Sequence, residues 1–129
     1  MSRKILVVED NEKNLILIRD ILRYHGYDVY EACNGEEGIR KAKECVPDLI
    51  LMDIQMPVMD GFTALKALKE MPETKNIKVI ALTSFAMAGD RGKIMQAGFD
   101  DYISKPIDTR QLPEMVKRYL ECGDTSPLL

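Results

Sequence analysis

The chain has 129 residues, 46% hydrophobic and 30% charged, with a formal net charge of −3. That length suits one domain, which buries roughly two-thirds of the surface of the unfolded chain. The absence of a basic stripe argues against nucleic-acid binding as the main activity, and the apolar part of MSRKILVVED is too short for a signal peptide or membrane span. In chain order, KILVVE (4–9) reads as a buried strand. Glu12 to His25 reads as a helix, with Leu15, Ile18, Ile21 and Leu22 at helical spacing and Gly26 at C′. DVYEAC (28–33) is a second strand. Asn34 with Glu37 forms a capping box that opens a helix to about Cys45. DLILMD is a third strand, whose apolar run bounded by turn signals suits burial on both faces. A helix from about Phe62 to Glu70 follows the PVMDG turn. KVIALT (78–83) is a fourth strand, Met87 to Ala97 a helix ended by Gly98, and DYISK (101–105) a fifth strand. The last helix lies between Asp108 and Glu121, and its regular part is expected to begin near Pro113, after a looser first turn. Cys33, Cys45 and Cys122 form no CxxC pair and read as reduced thiols of a cytoplasmic protein.

Strands alternating with helices imply an α/β domain with a five-stranded parallel sheet covered on both faces and right-handed crossovers. The functional crevice of such a sheet lies beyond the carboxyl ends of its strands. Those ends carry Glu9-Asp10, Asp53, Thr83-Ser84 and Lys105-Pro106. Taken singly, a strand-end Asp is a cap, a strand-end Thr a β-former and Lys-Pro a turn. The weight of the pattern lies in all of them falling at corresponding ends of successive strands.

Three carboxylates sharing one crevice repel, and without compensation at least one would be protonated near neutral pH. Oxygen-only donors with no nearby His or Cys suit Mg²⁺. A carboxylate beside a metal and an ammonium suits phosphoryl transfer, with Asp53 as nucleophile giving an acyl phosphate. The metal and Lys105 would then neutralise phosphoryl oxygens, and Thr83 would hydrogen-bond one of them.

The motifs EDN (9–11), LMDIQMPVMDG (51–61), ALTSFA (81–86) and YISKPI (102–107) resemble the response-regulator receiver domain, the family of the chemotaxis protein CheY, over residues 3–121. The stretch SFAMAGDRGKIMQAGFDDYISKPI is similar to DivK-type single-domain regulators and to receivers of hybrid histidine kinases. The resemblance implies a flavodoxin-like, doubly wound sheet of order 2-1-3-4-5 with five helices, spanning residues 1–122, with 123–129 as a tail. Asp53 would be the phosphoacceptor. Mg²⁺ (or Mn²⁺) would be held by Asp10, Asp53 and the backbone carbonyl of Gln55, with Glu9 acting through water. Thr83 would carry the switch hydroxyl and Tyr102 would be the aromatic switch residue. Lys105 would pair with the phosphoryl group and precede a cis peptide to Pro106. Ser84 would admit the phosphodonor, while Gln55 and Phe85 would tune phosphoryl lifetime. The implied function is a cytoplasmic two-component signalling switch, catalysing only its own phosphorylation and dephosphorylation. Its partners would be a sensor histidine kinase or a histidine phosphotransfer protein, and a downstream protein on the fourth-helix, fifth-strand and fifth-helix face. Neither nucleic acid nor membrane is implied, and the state is monomer or weak dimer.

The start MSRK and the end at Leu129 favour a stand-alone regulator over a receiver cut from a hybrid kinase or multidomain regulator. Gly89 and Gly92 lie inside the fourth helix, each at about 0.8–1 kcal/mol relative to Ala, so that helix reads as soft. Met56, Met59 and Met87 suit either core packing or an adaptable partner surface. A phosphatase of the haloacid dehalogenase type would need an acid where Gln55 stands. A flavin mononucleotide carrier would need a hydroxyl- and glycine-rich loop where EDNEKN stands.

Overall fold

A computed structural model describes residues 3–56, 58–84 and 88–122. Pro57, Phe85, Met87 and the tail 123–129, to which the sequence assigned roles, lie outside the described residues. Strands β1 (Lys4–Val8), β2 (Asp28–Ala32), β3 (Leu49–Asp53), β4 (Lys78–Thr83) and β5 (Asp101–Ser104) form one parallel sheet of order β2-β1-β3-β4-β5. Between and after them run α1 (Glu12–Tyr24), α2 (Gly35–Cys45), α3 (Gly61–Glu70), α4 (Ala88–Ala97) and α5 (Gln111–Lys117), the last continued by a π-type turn over Arg118–Cys122. No helix among the described residues is long and apolar enough to cross a membrane.

Alternation along the strands makes two cores. Ile5, Val7, Leu49, Leu51, Ile80, Leu82 and Ile103 face Ile18 and Leu22 of α1 and Leu112 and Val116 of α5. Leu6, Val8, Ile50, Met52, Val79 and Ala81 face α2, α3 and Ile94 of α4. Both faces are covered, so the central strand β3 is buried at all five positions, Asp53 included. Met56 and Met59 pack against the second core.

Each of the first three helices is opened by a side chain accepting a backbone N–H. Asn11 takes Asn14 N at 3.1 Å, Asn34 takes Glu37 N at 2.8 Å and Asp60 takes Thr63 N at 2.8 Å. Glu37 reaches back to Cys33 N (2.7 Å), one residue before the cap. The last helix begins within two residues of the expected position, after a turn. It is regular from Gln111, and Asp108 Oδ1 accepts Arg110 N and Gln111 N at 2.7 and 3.1 Å. Pro113 is its third residue, and its missing N–H breaks the ladder just after the bond from Leu112 N to Asp108 O (3.1 Å), which leaves 109–110 as a turn outside the regular helix.

Among the described residues, α4 buries the fewest side chains of the five helices. Of the side chains from Arg91 to Ala97 only Ile94 is buried, and a Cβ on Gly92 would meet nothing within 4 Å. Gly61 is the opposite case, since a Cβ there would lie 2.6 Å from the Asp53 carbonyl oxygen and 2.8 Å from Ile54 Cα. Urea unfolding separates the two. Gly92→Ala is expected to gain about 0.5–1 kcal/mol by helix propensity alone, and Gly61→Ala to lose about 1–3 kcal/mol by overpacking.

Candidate functional site

The carboxyl ends of β1, β3, β4 and β5 meet at one edge of the sheet, where the backbone continues the pairing past the last strand residues. Glu9 N donates to Ala32 O (2.9 Å), Ile54 N to Leu82 O (3.1 Å) and Lys105 N to Thr83 O (2.7 Å). These bonds fix three chain exits side by side. Gly61 N donates to Ile54 O (2.8 Å), folding the loop after β3 back beneath Asp53. The close approach of Gly61 explains why glycine follows Asp60 there. The sequence marked this glycine only as part of a turn.

Glu9, Asp10 and Asp53 each offer an oxygen, and these three oxygens lie within 4.8 Å of one another. Glu9 is fully buried, Asp53 is 3% exposed and Asp10 is exposed. Lys105 serves two of the three. Its Nζ lies 3.0 Å from Asp53 Oδ2, and 2.9 and 3.2 Å from Glu9 Oε1 and Oε2. The approach to Oε1, though shorter, lacks hydrogen-bond geometry, so that buried oxygen has charge nearby and no hydrogen-bond donor. Backbone N–H groups supply the other bonds, Asn11 N to Glu9 Oε2 and Gln55 N to Asp53 Oδ1, each at 3.1 Å.

The electrostatics follow from one ammonium among three acids. Burial, then the neighbouring Asp53 carboxylate, pushes Glu9 from 4.5 up to about 7, although Lys105 pulls the other way. Asp10 is also raised, by burial and by Asp53. For Lys105 burial is the largest influence and lowers its value, but its bonds and charge contacts with Glu9 and Asp53 together outweigh it, leaving the ammonium above its ordinary value.

This arrangement fits a divalent cation. The donors are all oxygen, negative charge exceeds positive, and Glu9 Oε1 is buried without a hydrogen bond. Among the described residues no other cluster of His, Cys, Asp or Glu has metal-ligand spacing.

The remaining residues singled out in the sequence sit around this centre. Thr83, 3% exposed, ends β4 next to Leu82, the register partner of Asp53. Ser84 and Gln55 are exposed at the rim, and the Lys105–Pro106 peptide is cis. Tyr102 is half-buried against the second core, aligned with Ala81 in the β4–β5 register. Phe85 lies outside the described residues. One neighbour escaped the sequence reading. The guanidinium of Arg91, on α4, stands 5.8 Å from the centre of the Tyr102 ring, and no local pattern marks a contact between a helix surface and the following strand.

The sequence model of the response regulator receiver domain matches residues 5–117. The polar-differentiation response regulator DivK of Brucella anthropi is 46% identical over 120 residues, 93% of this chain and 98% of that protein. The receiver domain of the sensor histidine kinase PA1611 of Pseudomonas aeruginosa, solved with a magnesium ion coordinated in its active-site cleft, superposes with a TM-score of 0.86 at 36% identity, covering 93% of this chain and 98% of that one. The receiver domain of Ssk1 of Saccharomyces cerevisiae, solved with the histidine phosphotransfer protein Ypd1, does so with a TM-score of 0.86 at 28% identity, covering 92% and 89%. Matched over most of its length by the family's sequence model and built on the same sheet, the chain is a member of the response-regulator receiver family, of the DivK type.

Proposed function

We propose that the chain is a phosphorylation-dependent switch that takes a phosphoryl group onto Asp53 from a histidine kinase or a histidine phosphotransfer protein. The observation that carries the reading is Lys105. Its ammonium lies 3.0 Å from Asp53 Oδ2, inside a cluster of three acids at the carboxyl edge of the sheet. That is the arrangement a carboxylate needs in order to accept more negative charge.

In the proposed step a lone pair on an Asp53 carboxylate oxygen attacks phosphorus. The P–O bond forms as the P–N bond of a phosphohistidine breaks, and the imidazole leaves with that electron pair. Asp10, Asp53 and the backbone carbonyl of Gln55 would hold Mg²⁺ (or Mn²⁺), with Glu9 acting through water. When bound, the cation supplies charge neutralisation for the acids and the phosphoryl oxygens. Lys105 stabilises a second phosphoryl oxygen from its present position, and Thr83 donates its hydroxyl to another. Ser84 leaves the approach to Asp53 open, while Gln55 and Phe85 set the lifetime of the product. The switch then changes which protein binds the α4–β5–α5 surface, through Thr83 and Tyr102.

Without a cation the protein should prefer mildly acidic conditions. The folded-state value of Glu9, about 7, lies above its ordinary 4.5. Its contribution to stability is therefore full below about 4.5 and is lost as pH rises through about 7. Thermal melts in chelator are expected to show about 1 kcal/mol lost between pH 6 and pH 8. Glu9→Gln should remove that slope, and Mg²⁺ should stabilise wild type most at the alkaline end. A wild-type slope equal to that of Glu9→Gln would show that burial does not hold the proton on Glu9.

Phosphorylation is tested by incubating the chain with acetyl phosphate and Mg²⁺ and resolving it on a phosphate-affinity gel. Wild type is expected to shift, while Asp53→Asn and chelator-treated wild type are expected not to. An equal shift of Asp53→Asn would overturn the assignment.

A further inference from the structure

α4 is held on the sheet by one buried side chain, Ile94, among those from Arg91 to Ala97. A second tie comes from its surface. The guanidinium carbon of Arg91 lies 5.8 Å from the centroid of the Tyr102 ring, within the ~6 Å reach of a cation–π attraction. Tyr102 is half-buried on the core that α4 covers. Register aligns Tyr102 with Ala81 and Ser104 with Thr83, so Tyr102 and Thr83 lie on the same face of the sheet at diagonal positions. Asp53 pairs with Leu82, the residue before Thr83. A line of neighbouring positions therefore runs from the acid cluster through Thr83 and Tyr102 to Arg91 and ends on α4.

We propose that Arg91 is a positioning residue that ties α4 to Tyr102, so that its cation–π attraction to the ring favours the phosphate-free arrangement of the switch. This rests on the phosphoacceptor reading of Asp53. A ring that stays under the guanidinium keeps the attraction, and a ring that turns toward Thr83 gives it up. The attraction is therefore a differential one, which is the requirement for biasing a two-state element. Its exposed setting puts the bias at about two- to fivefold in population. Gly92, adjacent to Arg91 and without a Cβ contact, leaves the helix backbone free to follow the ring.

The test is the ring resonance of Tyr102 in protein carrying ¹³C-labelled tyrosine, assigned with Tyr102→Phe. Wild type, Arg91→Met and Arg91→Lys are each measured with and without beryllofluoride and Mg²⁺. Arg91→Met keeps an apolar stem on the ring and removes the charge. Beryllofluoride is expected to move the wild-type signal. Arg91→Met without beryllofluoride should lie part-way along that same line, corresponding to about a two- to fivefold population change, with Arg91→Lys between it and wild type. If the free Arg91→Met signal coincides with free wild type, Arg91 does not bias the switch. If it leaves the line, Arg91 is only a structural prop. Either result overturns the proposal and leaves the phosphoacceptor reading standing. A wild-type signal that beryllofluoride does not move would remove the phosphoswitch reading, and this inference with it.

Discussion

Lys105 carries the positive charge on which the acid cluster depends. It comes from the end of β5, 52 residues along the chain from Asp53 and 96 from Glu9, and its Nζ stands within 3.2 Å of both carboxylates. The parallel sheet makes this meeting possible. Five strands in register bring their carboxyl ends to one edge, and backbone bonds past Val8, Asp53 and Ser104 hold the exits of β1, β3 and β5 in place. A single ammonium is not enough for three acids. Glu9 keeps a buried oxygen without a donor and holds its proton to about 7. The cluster therefore carries more negative charge than Lys105 neutralises, which suits a divalent cation.

Much of this was legible in the sequence because the fold class does the placing. Alternating buried strands and amphipathic helices imply a parallel sheet, and a parallel sheet implies convergence of Glu9, Asp10, Asp53, Thr83 and Lys105. The order of the strands came from family resemblance, since alternation alone does not say which strand is central. Pro113 located the start of the last regular helix to within two residues, because its missing N–H keeps the turn after Asp108 outside that helix. Three further features depend on depth and on three-dimensional approach, which spacing does not encode. These are the sharing of Lys105 between two acids, the packing of Gly61 beneath Asp53, and the approach of the Arg91 guanidinium to the Tyr102 ring.

The two faces of the sheet contribute differently. α1 buries Ile18 and Leu22 on the first core, and α5 buries Leu112, Met115 and Val116 there. Among the side chains from Arg91 to Ala97, α4 buries only Ile94, and its Arg91 guanidinium lies 5.8 Å from the centre of the Tyr102 ring. Few buried contacts of this kind are a mark of low local stability.

The central claim is that Asp53 itself forms an acyl phosphate, and borohydride reduction tests it most directly. Reduction converts an aspartyl phosphate to homoserine, which peptide mass spectrometry assigns to a position. The account predicts homoserine at residue 53 in protein given a phosphodonor and Mg²⁺, and none when the cation is chelated. Homoserine at Asp10 or at another aspartate, or none after a phosphodonor that phosphorylates other receivers, would contradict it.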